Sequence, residues 1–145
     1  MQAILADPTN PDVVRALVAP NATYVSLNYD NPELKRIMPW AGTQTGPDAV
    51  SGTYGRVGRY WQNEGFEVED TFESENRAAV FGRFTYGSST LGKAVTSPFA
   101  ILARVRDGQV TYMQFMEDTF GTAATFRSGG TATFRADPDG GEVSV

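Results

Sequence analysis

The sequence contains no cysteine and no histidine. Without cysteine there can be no disulfides, thiolate nucleophiles, zinc–thiolate sites or iron–sulfur clusters. Without histidine the chain lacks the commonest general base and the commonest protein ligand for a metal ion. Any proton transfer must therefore depend on carboxylates, tyrosines or bound water, and we expect neither a metal nor another cofactor.

Basic residues are also scarce, since 12 Lys and Arg stand against 17 Asp and Glu, a net charge of −5. No run of Lys or Arg breaks this balance, so nucleic acid is not an expected partner. The first residues hold a short apolar stretch interrupted by Asp7, Pro8 and Pro11, which fits neither a signal peptide nor a membrane span. We expect a cytoplasmic protein that does not bind membranes.

The length of 145 residues corresponds to one domain, and 41% hydrophobic residues are enough to form a core. The apolar period predicts a short helix over 12–18, capped by Asp12 and ended by Pro20, and a longer helix over 47–63. Alternation predicts a strand over 22–29, one face of which is polar.

The second half of the chain is rich in β-forming residues. Four predicted strands follow one another there, at 66–72, 78–87, 97–106 and 109–118. The dipeptide Asp107-Gly108 predicts a tight hairpin between the last two. Helices followed by an antiparallel meander predict an α+β fold with helices packed on one face of a curved sheet.

The last residues, 128–145, are rich in Gly, Ser and Asp. This composition is typical of a disordered tail. The segments ATFRA and EVSV flank the turn-like sequence DPDGG, which favours a small hairpin equally well. Both readings stay open, and residues 1–127 are expected to form the single domain.

The order of elements resembles that of the nuclear transport factor two-like superfamily, in particular its SnoaL-like and ketosteroid-isomerase-like branch. The resemblance covers about residues 12–127 and includes a loop with Trp40, a long helix that exits at Tyr60 and Trp61, and a final strand that leads into TFGTAATF. It implies a cone-shaped α+β domain whose sheet wraps a pocket, often dimeric. Members include isomerases, polyketide cyclases, epoxide hydrolases and proteins without catalysis, so the fold alone fixes little of the function.

Arg83 is the first candidate suggested by this resemblance, because epoxide-hydrolase-like members carry a pocket arginine at the matching place. Those members place an aspartate two residues further on, where this chain has Thr85. A water-activating set of two carboxylates and an arginine is therefore incomplete, which argues against epoxide hydrolysis. Arg83 could instead lie on a solvated face of the sheet.

Glu117 and Asp118 are adjacent at the end of the last predicted strand, so they point to opposite faces. Glu117 shares a face with Met113 and Phe115, and a carboxylate among aromatic residues at a pocket rim would have a raised pKa. A surface ion pair is the alternative for Glu117. Asp118 precedes a helix-like stretch and is a candidate N-cap as well as a candidate catalytic group.

Tyr24, Ser26 and Asn28 share the polar face of the first strand, and they match positions where family members place donors to a substrate oxygen. Such donors stabilise the negative charge that develops on an enolate. Further substrate-binding candidates are large or polar residues that could also be ordinary core. They are Trp40, Phe81, Thr85, Met113 and Phe115.

These observations favour a small-molecule enzyme of the isomerase or polyketide-cyclase type, acting by proton transfer on a hydrophobic carbonyl compound. The named catalytic candidates are Glu117, Arg83, Tyr24 and Asp118. The alternative is a binding module of the same fold that holds a small apolar ligand without catalysis.

Large apolar side chains occur on both faces of the central strands. Phe81 lies on one face of its strand, whereas Val80, Phe84 and Tyr86 lie on the other. The helices can cover only one face, so we expect a homodimer through the outer face. The segment after Ser128 could cover that face instead.

Overall fold

The computed structural model describes all of residues 1–145. The helices are α1 (Gln2–Ala6), α2 (Pro11–Leu17), α3 (Pro32–Ile37), α4 (Pro47–Tyr60) and α5 (Thr119–Ala124). The strands are β1 (Val18–Ser26), β2 (Gly42–Thr45), β3 (Trp61–Ser74), β4 (Arg77–Ser88), β5 (Ala94–Arg106), β6 (Gln109–Glu117), β7 (Thr133–Phe134) and β8 (Val143–Ser144).

One six-stranded sheet in the order β2-β1-β6-β5-β4-β3 forms the body of the protein. Helices pack on one side of it, which confirms the predicted α+β class. The sheet is mixed rather than wholly antiparallel, because β1 runs parallel to β6. A parallel pair requires a long crossover, and here the crossover includes α4 and strands β3 to β5.

The helix boundaries follow local sequence signals, with corrections at α4 and α2. The longer helix predicted over 47–63 ends at Tyr60, and residues 61–63 belong to β3. The cap of α2 is Asn10, whose side chain accepts from the backbone N–H groups of Asp12 and Val13, so Asp12 lies in the first turn instead. The helix ends at Leu17, and Pro20 lies within β1 rather than terminating α2. Pro is tolerated there because the pairing of β1 with β6 is interrupted between Val18 and Thr23.

Strand prediction was most accurate in the meander. The hairpin between β5 and β6 turns at Asp107 and Gly108, which have φ angles of 52° and 78°. Two positive φ angles in a two-residue turn match the twist of the flanking strands, as the dipeptide predicted. The stretch expected to be an ordered loop after α3 contains β2, which pairs with β1.

The core lies between the inner face of the sheet and helices α2 and α4. Its largest fully buried side chains include Trp40, Tyr24, Phe84, Met38 and Met113. On β4, the inward residues are those with even numbers from 78 to 86, and the odd-numbered residues face outward. This assignment decides which sequence candidates can reach an internal cavity.

The C-terminal residues form a two-stranded hairpin of β7 and β8. The hairpin packs beside α5, where the rings of Phe134 and Phe120 lie 6.3 Å apart. The Arg127 guanidinium donates to the backbone carbonyl of Val145. The outer face of the large sheet is therefore left uncovered by this segment. No helix in the fold is both long and apolar enough to traverse a lipid bilayer.

Asp118 caps α5, since its Oδ1 accepts from the backbone N–H of Gly121 at 3.0 Å. We predict that Asp118→Ala lowers the free energy of unfolding by about 1 kcal/mol, because a backbone donor loses its partner. Asp118→Asn retains a capping oxygen and should stay close to wild type. Urea denaturation measures both, and an Asp118→Ala variant as stable as wild type would contradict the capping role.

Candidate functional site

A cavity lies between α4 and the inner face of the sheet. Its empty space is about 320 Å³, which includes solvent-open space at its edge. The lining is mainly aromatic and aliphatic, with a few polar groups. The lining residues are Tyr24, Ser26, Leu27, Trp40, Thr53, Tyr54, Val57, Trp61, Tyr86, Phe115 and Glu117. A concave apolar site with a few convergent polar groups is the usual form of a small-molecule site.

Glu117 is the one carboxylate among these lining residues. It occupies the last position of β6, on the same face as Met113 and Phe115. Its Oε1 accepts from the Thr122 hydroxyl at 2.8 Å, and its Oε2 has no hydrogen-bond partner in the protein. Burial raises the pKa of Glu117 to about 7, although donation from Thr122 opposes the rise and the neighbouring Asp118 adds to it. A carboxyl group with such a pKa can donate or accept a proton near neutral pH.

Three tyrosines surround this carboxyl group. Burial raises the pKa of Tyr24 and of Tyr54 well above the usual value, and it raises the pKa of Tyr86 to about 12. The nearby Glu117 charge acts in the same direction on all three. Their hydroxyl groups therefore stay protonated at neutral pH and act as neutral hydrogen-bond donors.

The end of β1 places two adjacent residues on the same cavity wall. Strand alternation predicts that Leu27 faces away from Ser26. The strand ends at Ser26, however, and Leu27 has a φ of 68°. This rare conformation turns the Leu27 side chain into the cavity, while its N–H donates to the carbonyl of Phe115 at 2.9 Å. Alternation along 22–29 would have placed Leu27 on the face of Val25, opposite Tyr24 and Ser26, and the positive φ removes Leu27 from that pattern.

Two tryptophans form the apolar wall opposite the polar groups. The rings of Trp40 and Trp61 meet edge to face with centroids 5.1 Å apart. The Trp61 Nε1 donates to Thr125 Oγ1 at 2.9 Å, and Thr125 Oγ1 in turn lies 2.7 Å from the carbonyl oxygen of Thr122. The same short segment after β6 therefore fixes a cavity wall and the donor to Glu117.

The cavity opens toward a larger depression of about 840 Å³. The two spaces share Tyr54, Val57, Trp61 and Tyr86, so these four residues lie where the spaces adjoin. The outer depression is bounded on the far side by α1 and the turn that follows it. No three Asp or Glu side chains gather closely enough to hold a metal ion.

The structure brings several sequence candidates together. The lining includes Glu117, Tyr24, Ser26, Trp40 and Phe115. Met113 is fully buried beside them in the core but does not line the cavity. Asn28 follows β1 and has a buried Oδ1 without a partner, yet it does not line the cavity either. Asp118 lies outside the cavity and serves as the cap of α5.

Three candidates on β4 lie on the opposite face of the sheet from the cavity. The Arg83 guanidinium is exposed and pairs with Glu67 at 2.7 Å and Glu69 at 3.6 Å. The Thr85 hydroxyl bonds that of Thr96 at 2.8 Å. Phe81 is 44% exposed. The prediction that these three residues line the pocket is wrong, because the even-numbered residues of β4 face inward.

Six lining residues were not among the sequence candidates for the site. They are Leu27, Thr53, Tyr54, Val57, Trp61 and Tyr86. The helical spacing of Tyr54 and Val57 places both on the apolar face of α4, which is a signal for core and cavity alike, whereas Trp61 lies beyond the helix at the start of β3. Nothing in the sequence marks the positive φ of Leu27.

Comparison with known proteins identifies the family to which the chain belongs. The sequence profile of the SnoaL-like domain matches residues 5–113. The chain belongs to the SnoaL-like family. Two fungal relatives are each 45% identical over 141 residues, which is 92% of this chain and 71% of theirs. They are patulin biosynthesis cluster protein F of Penicillium expansum and patulin synthesis protein F of Aspergillus clavatus.

Solved structures of low identity share the SnoaL-like fold. An NTF2-like protein from Burkholderia thailandensis superposes with a TM-score of 0.73 at 19% identity, over 87% of this chain and 93% of that one. A Jannaschia protein, provisionally described as a SnoaL-like polyketide cyclase, gives a TM-score of 0.69 at 16% identity, over 88% and 89%. At such identities these likenesses show the fold and nothing further. The match to the SnoaL-like domain, together with this shared fold, confirms the resemblance drawn from the order of elements.

The raised pKa of Glu117 predicts a pH-dependent stability. The native state holds the proton up to about pH 7, whereas the unfolded state releases it near 4.5. The stability of wild type relative to Glu117→Gln should therefore be greatest below about pH 4.5 and should fall, by at most about 3 kcal/mol, as the pH rises to about 8. Urea denaturation across this range measures the difference. Glu73→Gln, at an exposed site, is the control, and a constant difference between wild type and Glu117→Gln would contradict the assignment.

The hydrogen bond from the Thr122 hydroxyl leads to a second prediction, which concerns the pKa of Glu117. Thr122→Val removes the only protein donor to the Glu117 carboxylate, so the pKa of Glu117 should rise further above about 7. Thr122→Ser restores the donor and should restore the pKa. The measurement is the pH at which the infrared band of the protonated carboxyl group loses half its intensity, assigned by its absence in Glu117→Gln. Equal midpoints in wild type and Thr122→Val would refute the contribution of Thr122.

Proposed function

We propose that this protein is an enzyme of the isomerase or polyketide-cyclase type, which transfers a proton on a small hydrophobic carbonyl compound. The observation that carries the proposal is the carboxyl group of Glu117, set in an aromatic cavity with one oxygen bound by Thr122 and the other free. A partly desolvated carboxylate with a pKa near 7 is suited to general acid and base catalysis at neutral pH.

The proposed reaction uses groups on the sheet wall of the cavity. Glu117 Oε2 removes a proton from a carbon next to the substrate carbonyl, and the C–H electron pair moves into the enolate. The hydroxyl groups of Tyr24 and Ser26 donate to the enolate oxygen and stabilise its charge. An isomerase returns the same proton from Glu117 to another carbon. A cyclase instead joins the enolate carbon to a second carbonyl carbon, and Glu117 gives its proton to the resulting alkoxide.

The names of the relatives support a substrate from small-molecule biosynthesis. The two fungal proteins are named for patulin biosynthesis, and their match extends over 92% of this chain. The aromatic lining around Trp40 and Trp61 supports a planar or cyclic ligand, since aromatic pairs favour stacking and edge contacts. The enclosed part of the cavity is small, since the centre of a water-sized sphere can occupy only about 20 Å³ of it, and this favours a compact molecule.

The second candidate is a module that binds a small apolar ligand without catalysis. It is favoured by the scarcity of acid–base groups, because Glu117 has no carboxylate or arginine beside it in the cavity. Arg83, which would have completed a polar set, lies on the outer face. Proton exchange on the ligand separates this candidate from the enzyme.

A deuterium-exchange assay tests the proposed activity. In deuterated water the wild-type protein should accelerate exchange of the hydrogens next to the carbonyl in single-ring ketones, enones and cyclic diketones, measured by proton NMR. Glu117→Gln should lower the rate of exchange by roughly a hundredfold or more, because the group that accepts the proton is gone. Glu73→Gln changes an exposed carboxylate outside the cavity and should exchange at the wild-type rate.

Two results would contradict the enzyme. Exchange that survives in Glu117→Gln would exclude Glu117 as the base. Wild-type protein that binds these compounds without accelerating exchange in any of them would favour the binding module.

We also propose that the protein is a homodimer through the outer face of the sheet. Strand register brings Phe81, Ala100 and Met116 into one row across β4, β5 and β6, and Phe81 and Met116 are 44% and 40% exposed. Phe72 lies against the Phe81 ring at 6.2 Å and extends the apolar patch. The C-terminal hairpin packs beside α5 and leaves this patch open, so a second copy is the proposed cover.

Light scattering tests the dimer. At micromolar concentration wild type should have a mass near twice 15.7 kDa. Phe81→Glu places a charge in the centre of the patch and should yield a folded monomer, whereas Leu91→Glu, at an exposed site in the turn after β4, should remain dimeric. A wild-type mass near 15.7 kDa would contradict the dimer.

A further inference from the structure

Three buried side-chain polar atoms in the protein lack a hydrogen-bond partner: Asn28 Oδ1, Thr53 Oγ1 and the Tyr54 hydroxyl. Two of them belong to consecutive residues of α4, and both of these residues line the cavity. Buried polar groups in folded proteins are almost always paired with protein or water. Two unpaired hydroxyls on consecutive residues that line one cavity therefore point to a partner that comes from outside the protein.

The same helix shows what such a hydroxyl group does when it has only a structural role. Ser51 Oγ donates to the backbone carbonyl of Pro47, four residues earlier, at 3.4 Å. Thr53 lies two residues further along α4, and its hydroxyl group has no such bond. Serine and threonine within helices commonly bond back to that carbonyl. The Thr53 hydroxyl thus leaves the usual local acceptor unused while it is buried at the cavity, where its residue is only 4% exposed.

Tyr54 borders two adjoining spaces, the cavity and the outer depression, and has a buried hydroxyl group. Burial raises the pKa of Tyr54, and the nearby Tyr24, Tyr86 and Glu117 act in the same direction. The hydroxyl group therefore keeps its proton and needs an acceptor.

We propose that Thr53 and Tyr54 form an oxygen-binding subsite on the helix wall, which takes a second acceptor oxygen of a compact cyclic substrate. The reacting carbonyl lies at the sheet wall beside Glu117, Tyr24 and Ser26, and the ring lies between the two walls. The substrate class is accordingly a single ring that carries oxygen functions on two sides, such as a cyclic diketone or a hydroxylated cyclic ketone. This inference depends on the proposed function for the reacting carbonyl, whereas the subsite itself depends only on the two hydroxyls.

A matched pair of probes tests the subsite. Cyclohexane-1,4-dione and cyclohexanone differ by one acceptor oxygen, and neither can donate to Glu117. We expect the ratio of their affinities, measured by calorimetry on the wild-type protein, to fall roughly tenfold in Tyr54→Phe and in Thr53→Val, because each variant loses one donor to the second oxygen. Tyr60→Phe and Ser51→Ala remove hydroxyls from the same helix outside the cavity lining and should leave the ratio unchanged.

Stability of the free protein gives a second readout. Because the two hydroxyls have no protein partner, Tyr54→Phe and Thr53→Val should melt at or above the wild-type temperature. A lower melting temperature in both variants, with an unchanged affinity ratio, would overturn the proposal and assign the hydroxyls to bound water. Wild-type protein that binds neither probe would overturn it as well.

The affinity measurements test the subsite independently of the exchange measurements, which test catalysis. Glu117→Gln should keep the affinity ratio while it loses exchange. A ratio that responds to Tyr54→Phe in a protein that shows no exchange would uphold the subsite and refute the enzyme. If the wild-type protein accelerates exchange but no variant alters the affinity ratio, the subsite is refuted and the proposed enzyme activity is supported.

Discussion

The burial of one carboxyl group against a single hydroxyl donor is the constraint on which the site depends. Glu117 stands at the last inward position of β6, where α4 and the aromatic residues restrict its access to water. A buried carboxylate is costly unless it is neutralised or well bonded. Here one bond from Thr122 offsets part of that cost, and the rest appears as a pKa raised to about 7. The fold thereby keeps an acid–base group at neutral pH in a chain that has no histidine.

Helix α5 is only six residues long, yet it connects the main parts of the site. Asp118 caps it, Thr122 binds Glu117, and Thr125, just beyond its end, holds the indole of Trp61. The Asp118 N–H also donates to Ser97 Oγ on β5 at 3.0 Å, which ties the start of the helix to the sheet. Changes to this segment should therefore alter the position of the carboxyl group and the shape of the apolar wall together.

Much of the fold could be predicted from local sequence. The periods of two and 3.6 residues, the prolines that begin α2, α3 and α4, and the dipeptide Asp107-Gly108 all act over a few residues, and the structure agrees with them closely. The spacing of Glu117 from Met113 and Phe115 placed the three residues on one face of β6, but it did not decide whether that face is the inward one. The parallel pairing of β1 with β6 could not be predicted in this way, because it depends on how distant segments pack.

The errors at the site have two physical causes. On β4 both faces carry large aromatic residues, Phe81 on one and Phe84 on the other, so alternation alone could not decide which face is inward. The choice of the Phe81 face placed Arg83 in the cavity, whereas it pairs with Glu67 outside. At the end of β1, the positive φ of Leu27 breaks the alternation. No sequence rule predicts that conformation at a leucine.

The central claim is that Glu117 titrates near neutral pH inside the cavity. The most direct test is a carbon NMR titration of the glutamate carboxyl resonances, with the Glu117 signal assigned by its absence in Glu117→Gln. We expect the Glu117 signal to titrate with a midpoint at about pH 7. A midpoint near 4.5, the ordinary value for a solvated glutamate, would show that the carboxyl group is open to water and would contradict the account.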